Sequence, residues 1–229
     1  MAFNYSPKIA TNGLTMMLDA KNPKSYPGSG TTWYDLVGSN DATLSREGIG
    51  TDVLGQMTFD SGSYDYATFA PVTLSTGSSA LSVWCKSTGA YYNVWYANRA
   101  TIVAGTTEFH SGLWYTYVDD VASRIDFETS NNGVYAMINN TELMSGYFHV
   151  HLQWENGESQ GYINDIAQPP NTIQTMLDTT LQYIGGRVDS PEARQQGFHG
   201  DIPFVAFYDR PLTRAQITSN YQALNRRYF

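Results

Sequence analysis

Phe198-His199-Gly200-Asp201-Ile202-Pro203-Phe204-Val205-Ala206-Phe207-Tyr208-Asp209-Arg210-Pro211-Leu212-Thr213, with the sixteen residues that follow it to Phe229, decides how this chain folds. Ile202, Phe204, Ala206 and Tyr208 alternate onto one face of a strand, and Val205 and Phe207 make the opposite face apolar as well. A strand that is apolar on both sides has to be covered on both. Asp209-Arg210-Pro211 ends it, because proline restricts its neighbour and donates nothing to a ladder. Pro203 inside the strand implies a bulge or an unpaired amide position. Thr213 then stands at a helix N-cap with Gln216 at capping-box spacing. Ile217, Tyr221, Leu224 and Tyr228 follow at steps of four, three and four, a single stripe suited to lie on a sheet. Arg226 and Arg227 fall at the negative end of the helix dipole. The chain is thus predicted to finish by laying a terminal helix, 213–227, against a β structure.

Working back from that end, the pattern is one of strands and turns. Strands are expected at Leu14–Leu18, Met57–Phe59, Leu81–Lys86, Thr101–Ala104, Leu113–Val118, Arg124–Phe127, Val134–Ile138, Tyr147–Trp154, Gln160–Asn164, Leu181–Ile184 and Ile202–Tyr208. Asn132-Gly133 and Asn156-Gly157 are hairpin signals, since both central residues of a type I′ turn need positive φ. Around Asn156 the alternation is clean: Phe148, Val150, Leu152 and Trp154 face one way, Tyr147, His149, His151 and Gln153 the other. Many strands with only one convincing helix predict an all-β, two-sheet antiparallel sandwich.

The 229 residues fit one domain spanning 1–229, with residues 1–12 as an N-terminal arm. A chain of this length buries roughly 70% of its unfolded surface, enough to stand without staples. The one cysteine, Cys85, forms no internal disulfide and lies in phase with Leu81 and Val83, as a buried hydrophobe does. Met1 to Asn12 has neither a basic start nor an apolar run, so no signal peptide is expected. No window approaches the roughly 18 apolar residues of a spanning helix, and no membrane insertion is expected. A net charge of −8, with nine Arg and four Lys spread through the chain, argues against nucleic-acid partners and anionic membrane surfaces. Seventeen tyrosines among few charges suit exposed β surfaces and adaptable contacts.

The closing strand and helix resemble the end of laminin-G-like domains in the concanavalin A-like lectin/glucanase superfamily. Gly13-Leu14-Thr15-Met16-Met17-Leu18-Asp19-Ala20, Asn22-Pro23-Lys24-Ser25-Tyr26 and Trp33-Tyr34-Asp35-Leu36 are similar to the opening of such domains in tailed-phage virion proteins. Leu81-Ser82-Val83-Trp84-Cys85-Lys86, Tyr147-Phe148-His149-Val150, Tyr162-Ile163-Asn164-Asp165 and Ile184-Gly185-Gly186 resemble its internal strands, in the same order. The chain departs from the pattern at Phe59-Asp60-Ser61-Gly62-Ser63-Tyr64-Asp65-Tyr66, where the loop is changed, and at Val37-Gly38-Ser39-Asn40-Asp41, which is shortened. The resemblance sharpens the sandwich to a concanavalin A-like jelly roll with a short C-terminal helix.

The glucanase side of that superfamily carries its acids in a form like E-x-D-x-x-E on one strand, and no such string occurs here. Asp126-Phe127-Glu128 comes nearest, with carboxylates about 6.5–7 Å apart by strand rise. That lies within the roughly 5–9.5 Å of a glycosidase pair, but the pair leads into Asn132-Gly133, where solvated acids are ordinary. His149 and His151 at i, i+2 lack an obvious third ligand, and His149 matches a family position with no metal role. No metal site and no cofactor is therefore expected. Calcium stays open through Asp60 and Asp65, or Asp119 and Asp120, though none forms a calcium-loop pattern. No nucleophile elbow or phosphate loop is present. The aromatic run Tyr91, Tyr92, Trp95 and Tyr96, with Trp114, Tyr115 and Tyr117 beyond it, is the candidate contact surface for a glycan or protein partner. Core packing of Trp95 and Trp114 is the competing reading.

What the resemblance implies is a non-enzymatic virion structural protein, a capsid decoration or fibre-associated surface protein assembled in the host bacterial cytoplasm. Its partners would be other virion proteins, with surface glycans as a further contact. A stand-alone carbohydrate-binding lectin is the alternative, and a glycan hydrolase the next.

Overall fold

The computed structural model describes residues 7–50, 55–87, 99–105, 112–118, 122–129, 133–136, 146–169, 178–186 and 197–228. Fifteen strands and one α-helix are formed among them: β1 (Leu14–Asp19), β2 (Thr32–Trp33), β3 (Ala42–Leu44), β4 (Thr58–Phe59), β5 (Ala67–Leu74), β6 (Ser78–Ser87), β7 (Arg99–Ala104), β8 (Gly112–Val118), β9 (Ala122–Thr129), β10 (Gly133–Ala136), β11 (Phe148–Glu155), β12 (Glu158–Ile163), β13 (Ile166–Ala167), β14 (Thr179–Ile184), β15 (Gly200–Tyr208) and α1 (Arg214–Tyr228). They make two antiparallel sheets. A seven-stranded sheet runs β1-β15-β6-β11-β12-β13, with β4 pairing β15, and an eight-stranded sheet runs β10-β9-β8-β7-β14-β5-β3-β2.

The closing strand sits where its sequence demands, between β1 and β6 and buried at every position. Val205 and Phe207 point into the core between the sheets, with Val83, Cys85, Val150 and Leu152 from the same sheet and Leu44, Val103, Leu113, Leu181 and Ile184 from the other. Phe204, Ala206 and Tyr208 point outward, where α1 covers them together with Ala80 and Trp84. Ile217 and Leu224 are the buried teeth of the helix, and Tyr221 and Tyr228 pack beside them. Each such aliphatic side chain contributes roughly 1.5–3 kcal/mol by leaving water. The helix begins at a capping box: Gln216 Oε1 accepts from Thr213 N at 2.8 Å, and Thr213 Oγ1 accepts from Gln216 N at 3.3 Å.

Pro203 does make a bulge. Asp201 pairs with Lys86 and Phe204 with Trp84, three steps on β15 against two on β6. The extra residue corrects one expectation, because it turns Ile202 into the core between the sheets and away from the Phe204, Ala206 and Tyr208 face. The freed Pro203 carbonyl accepts from Ala20 N at 2.9 Å and from Tyr228 Oη at 3.1 Å.

Asn156 and Gly157 adopt φ of 52° and 84° and close β11 onto β12, with Glu155 opposite Glu158. β2, β3, β5 and β13 were not expected from the sequence. β5 carries Pro71 in mid-strand, and its register against β14 shifts there. The Asn40 side chain fills the gap, accepting from Ala70 N at 2.8 Å and donating to Ala70 O at 2.9 Å.

Candidate functional site

One end of the sandwich is built from the Phe59–Tyr66 loop, Arg46, Gly185-Gly186 and His199-Gly200. β4 delivers Asp60, which stops the chain by accepting from Gly62 N at 2.9 Å and Ser63 Oγ at 2.8 Å. The Ser63 hydroxyl, then the Gly62 amide and His199, hold the Asp60 carboxyl below the usual carboxylate range, against the opposing effect of its partial burial. His199 Nδ1 stands 3.2 Å from Asp60 Oδ1. Asp65 is buried and takes a two-pronged grip from Arg46, whose Nε and Nη2 donate at 2.6 and 2.7 Å. Asp65 also accepts from Asp60 N at 3.0 Å, so the two acids tie both ends of the loop.

Between these anchors Tyr64 is held in the left-handed region, φ 54°, with half of its surface exposed. A left-handed backbone costs an L residue about 1–2 kcal/mol, and such strain collects where a side chain must be aimed. Tyr66 lies two residues on, its ring edge-on to Tyr183 with centroids 6.1 Å apart. Gly186 lets the strand end come close, since a Cβ there would lie 2.6 Å from Asp65 O. The loop is thus a rigid frame presenting one aromatic face outward. Sequence reading passed over Tyr64; the signal was the altered loop between Phe59 and Asp65.

Tyr91, Tyr92, Trp95 and Tyr96, the contact residues expected from the sequence, lie outside the described residues. Their segment departs from this same end: Ser87, the last residue of β6, pairs with Gly200, which also pairs with Phe59. Trp114 stands in β8 opposite Thr101 and Asp126. Asp126 and Glu128 lie in β9, which is hydrogen-bonded to β8 on one side and β10 on the other. The strand continues to Thr129 and is paired along both sides at these two positions.

His149 and His151 are fully buried beneath α1, on the outer side of the seven-stranded sheet. Hydrogen bonding fixes their protons. Gln153 Oε1 already accepts from Leu212 N at 3.0 Å, so the contact with His151 Nε2 at 3.0 Å requires a proton on that nitrogen. His151 Nδ1 is then an acceptor and takes the Ser82 hydroxyl proton at 2.9 Å. Ser82 Oγ in turn accepts from His149 Nε2 at 3.1 Å, which leaves His149 Nδ1 as a buried lone pair with no partner among the described residues. Burial lowers His149 to about 3, aided by the neighbouring His151, and His151 to about 4, against the Gln153 bond. Both are neutral ring partners of Trp84, Tyr221 and Tyr162 rather than a chelating pair.

Among the described residues no three His, Cys, Asp or Glu side chains gather as metal ligands. Asp60 and Asp65 are engaged as above, and Asp119 and Asp120 lie outside the described residues. Cys85 is buried and its thiol is pushed well up by desolvation.

A laminin-G family model described as the concanavalin A-like lectin/glucanases superfamily matches residues 61–218. No curated protein matches the sequence. Among solved structures the fold is similar to Trypanosoma rangeli sialidase in complex with the inhibitor DANA, with TM-score 0.65 and 13% identity over 96% of this chain and 34% of that one. A mutant of that sialidase displaying trans-sialidase activity gives TM-score 0.62 and 15% identity, again over 96% of this chain and 34% of that one. Domain 4 of an extracellular arabinanase from Geobacillus stearothermophilus, in complex with arabinotriose, gives 0.52 and 16% over 91% and 98% of the two chains. This chain therefore spans about a third of the sialidase chains it matches. These neighbours overturn the expectation that the protein is no enzyme. The fold is one that sialidase chains contain, so a missing E-x-D-x-x-E string does not exclude glycan hydrolysis. The chain belongs to the concanavalin A-like lectin/glucanases superfamily.

Proposed function

We propose that this domain recognises carbohydrate, using the end of the sandwich that presents Tyr64. The observation that carries the reading is Tyr64 itself, an aromatic ring half in solvent on a backbone held in the left-handed region. Planar rings stack on sugar faces, and polar groups around them fix orientation. Asp60, His199 and Arg46 stand in that frame, and the segment bearing Tyr91, Tyr92, Trp95 and Tyr96 leaves β6 beside it. Its carrier in this reading is a tailed-phage virion. The domain is a capsid decoration or fibre-associated protein on the particle surface, assembled in the host bacterial cytoplasm, with other virion proteins as neighbours. The order of sequence motifs shared with such proteins supports that placement. No helix among the described residues is long and apolar enough to cross a membrane.

A broad glycan array, run with and without calcium, tests the recognition step. Binding that the Tyr64→Asn variant loses supports it, and silence across the array sinks it. Immunogold imaging of purified particles tests the placement, which fails if virions carry no label.

A second reading, glycan hydrolysis, is favoured by one observation. Asp126 and Glu128 stand two residues apart on a strand paired on both sides, the spacing of a carboxylate pair. Asp126→Asn and Glu128→Gln remove turnover on a polysaccharide panel if these acids act, and unchanged or absent turnover ends that reading.

A further inference from the structure

A groove of about 560 Å³ lies between residues 7–9, the end of β1 and the last turn of α1, lined by Lys8, Met17, Asp19, Asn22, Arg226 and Arg227 among others. Among the described residues its charges do not cancel. Asp19 is neutralised by Arg227 and accepts from Tyr228 Oη at 2.9 Å. Among the described residues, neither the Lys8 ammonium nor the Arg226 guanidinium meets a carboxylate. Two uncompensated cations therefore line one concavity, on a chain of net charge −8 with four lysines. The helix dipole accounts for basic residues in the last turn but not for Lys8, which comes from the far end of the chain. Lys8 is held there: its carbonyl accepts from Ser219 Oγ at 2.8 Å, and Ala10 N donates to Asn220 Oδ1 at 2.7 Å. Asn22 uses Oδ1 to accept from Lys24 N at 3.1 Å, which leaves its amide N–H groups as donors.

We propose that this groove binds an oxyanion, a carboxylate or phosphate, either borne by an acidic glycan or as the free ion. Arginine forks and an ammonium are the groups that hold such oxygens, through charge-assisted hydrogen bonds. Asp19, buried and bonded to Arg227, fixes that guanidinium as one wall, while Lys8 and Arg226 supply the unspent charge. That the oxyanion is carried on a glycan rests on the carbohydrate reading above; the groove's charge does not.

The whole chain is titrated with polygalacturonate, with inorganic phosphate and with uncharged dextran, at low and high salt. Polygalacturonate or phosphate binds, more weakly as salt screens the charges. The Lys8→Ala/Arg226→Ala double variant weakens it at least about tenfold, the loss of one good charged contact. Lys8→Arg/Arg226→Lys retains binding, which shows that charge and not folding is being read. Polymer binding without phosphate binding assigns a glycan-borne group, and binding of phosphate alone assigns the free ion. The proposal is overturned if neither anion binds, if dextran binds equally well, or if the double variant binds like the parent. Tyr64→Asn is read on uncharged glycans and Lys8→Ala/Arg226→Ala on inorganic phosphate, so failure of the Tyr64 reading and failure of this one are told apart.

Discussion

Asp19 and Arg227 stand 208 residues apart in the chain and form an ion pair where the last turn of α1 meets the end of β1. The carboxylate is fully buried and also accepts from Tyr228 Oη at 2.9 Å and Lys21 N at 3.2 Å. This is a clasp between the two ends of the fold. Replacing Asp19 by Ala takes the carboxylate from a guanidinium and an amide at once, leaves the Tyr228 phenol only the Pro203 carbonyl, and should cost about 3 kcal/mol. Arg227→Ala should cost only about 1 kcal/mol, because that side chain is 41% exposed and the other donors remain on Asp19. Urea unfolding of both variants checks the order. An Asp19→Ala midpoint equal to that of Arg227→Ala would refute the clasp.

The same layer predicts acid sensitivity. His149 and His151 are neutral in the fold, lowered to about 3 and about 4 from an ordinary 6.5. A base whose folded value is depressed costs nothing above 6.5, where it is neutral in both states. As pH falls below 6.5 the unfolded chain binds protons that the fold refuses, so stability drops. The slope approaches about 1.4 kcal/mol per pH unit for each histidine. By about pH 5 the pair removes about 4 kcal/mol, and below about pH 4 the slope halves as His151 charges within the fold. His149→Phe keeps a ring against Trp84 and leaves Ser82 its bond to His151, so it should halve the fall between pH 7 and pH 5. Denaturant midpoints across that range that do not move would remove the argument.

Gly200 lies opposite Ser87 where β15 meets the end of β6. Its φ is 143°, and a Cβ there would sit 2.1 Å from Lys86 O and 3.0 Å from Ser87 Cα. Both obstacles are backbone, so neither can turn aside. Gly200→Ala should destabilise the fold by at least about 3 kcal/mol, from strained φ and steric displacement together. Gly157→Ala is the control. It shares a positive φ of 84° but has nothing within 4 Å of the added carbon, so its cost should be about 1 kcal/mol. Thermal unfolding that ranks the two variants equally would mean that the close approach to Lys86 is not felt.

How far the sequence announces all this differs from element to element. The closing strand and helix are readable because alternation, proline, capping box and stripe agree at every level. Pro203 even announces its bulge. What alternation cannot say is that one inserted residue reverses the side on which Ile202 falls, since a period of two carries no memory across a bulge. β5 is hidden by Pro71, which counts against a strand until Asn40 is seen to supply the missing ladder partners. The histidines read correctly as alternating with the core face, but not as lying under a helix from the far end of the chain. Tyr64 escapes for a related reason. Its left-handed backbone follows from Asp60 and Asp65 bonding across the loop, a relation between side chains that no local preference encodes.

Tyr64 permits a test in which stability and recognition part company. If its strained backbone serves only to aim the ring, a residue at ease in the left-handed region should fold as well and bind worse. Asn is such a residue, because its short amide tolerates that conformation. Tyr64→Asn should keep the unfolding free energy within about 1 kcal/mol of the parent, since the ring it removes is 50% exposed. Glycan affinity should fall about tenfold or more, the worth of one stacked ring and the order it imposes. Tyr64→Phe should recover most of it, because stacking needs the face of the ring and not its hydroxyl. A Tyr64→Asn variant that binds like the parent would make the loop a structural staple alone. One that loses binding only by unfolding would show up in the same denaturation curve and be set aside from the recognition argument in favour of the Tyr64→Phe comparison, whose failure to restore affinity counts against the ring.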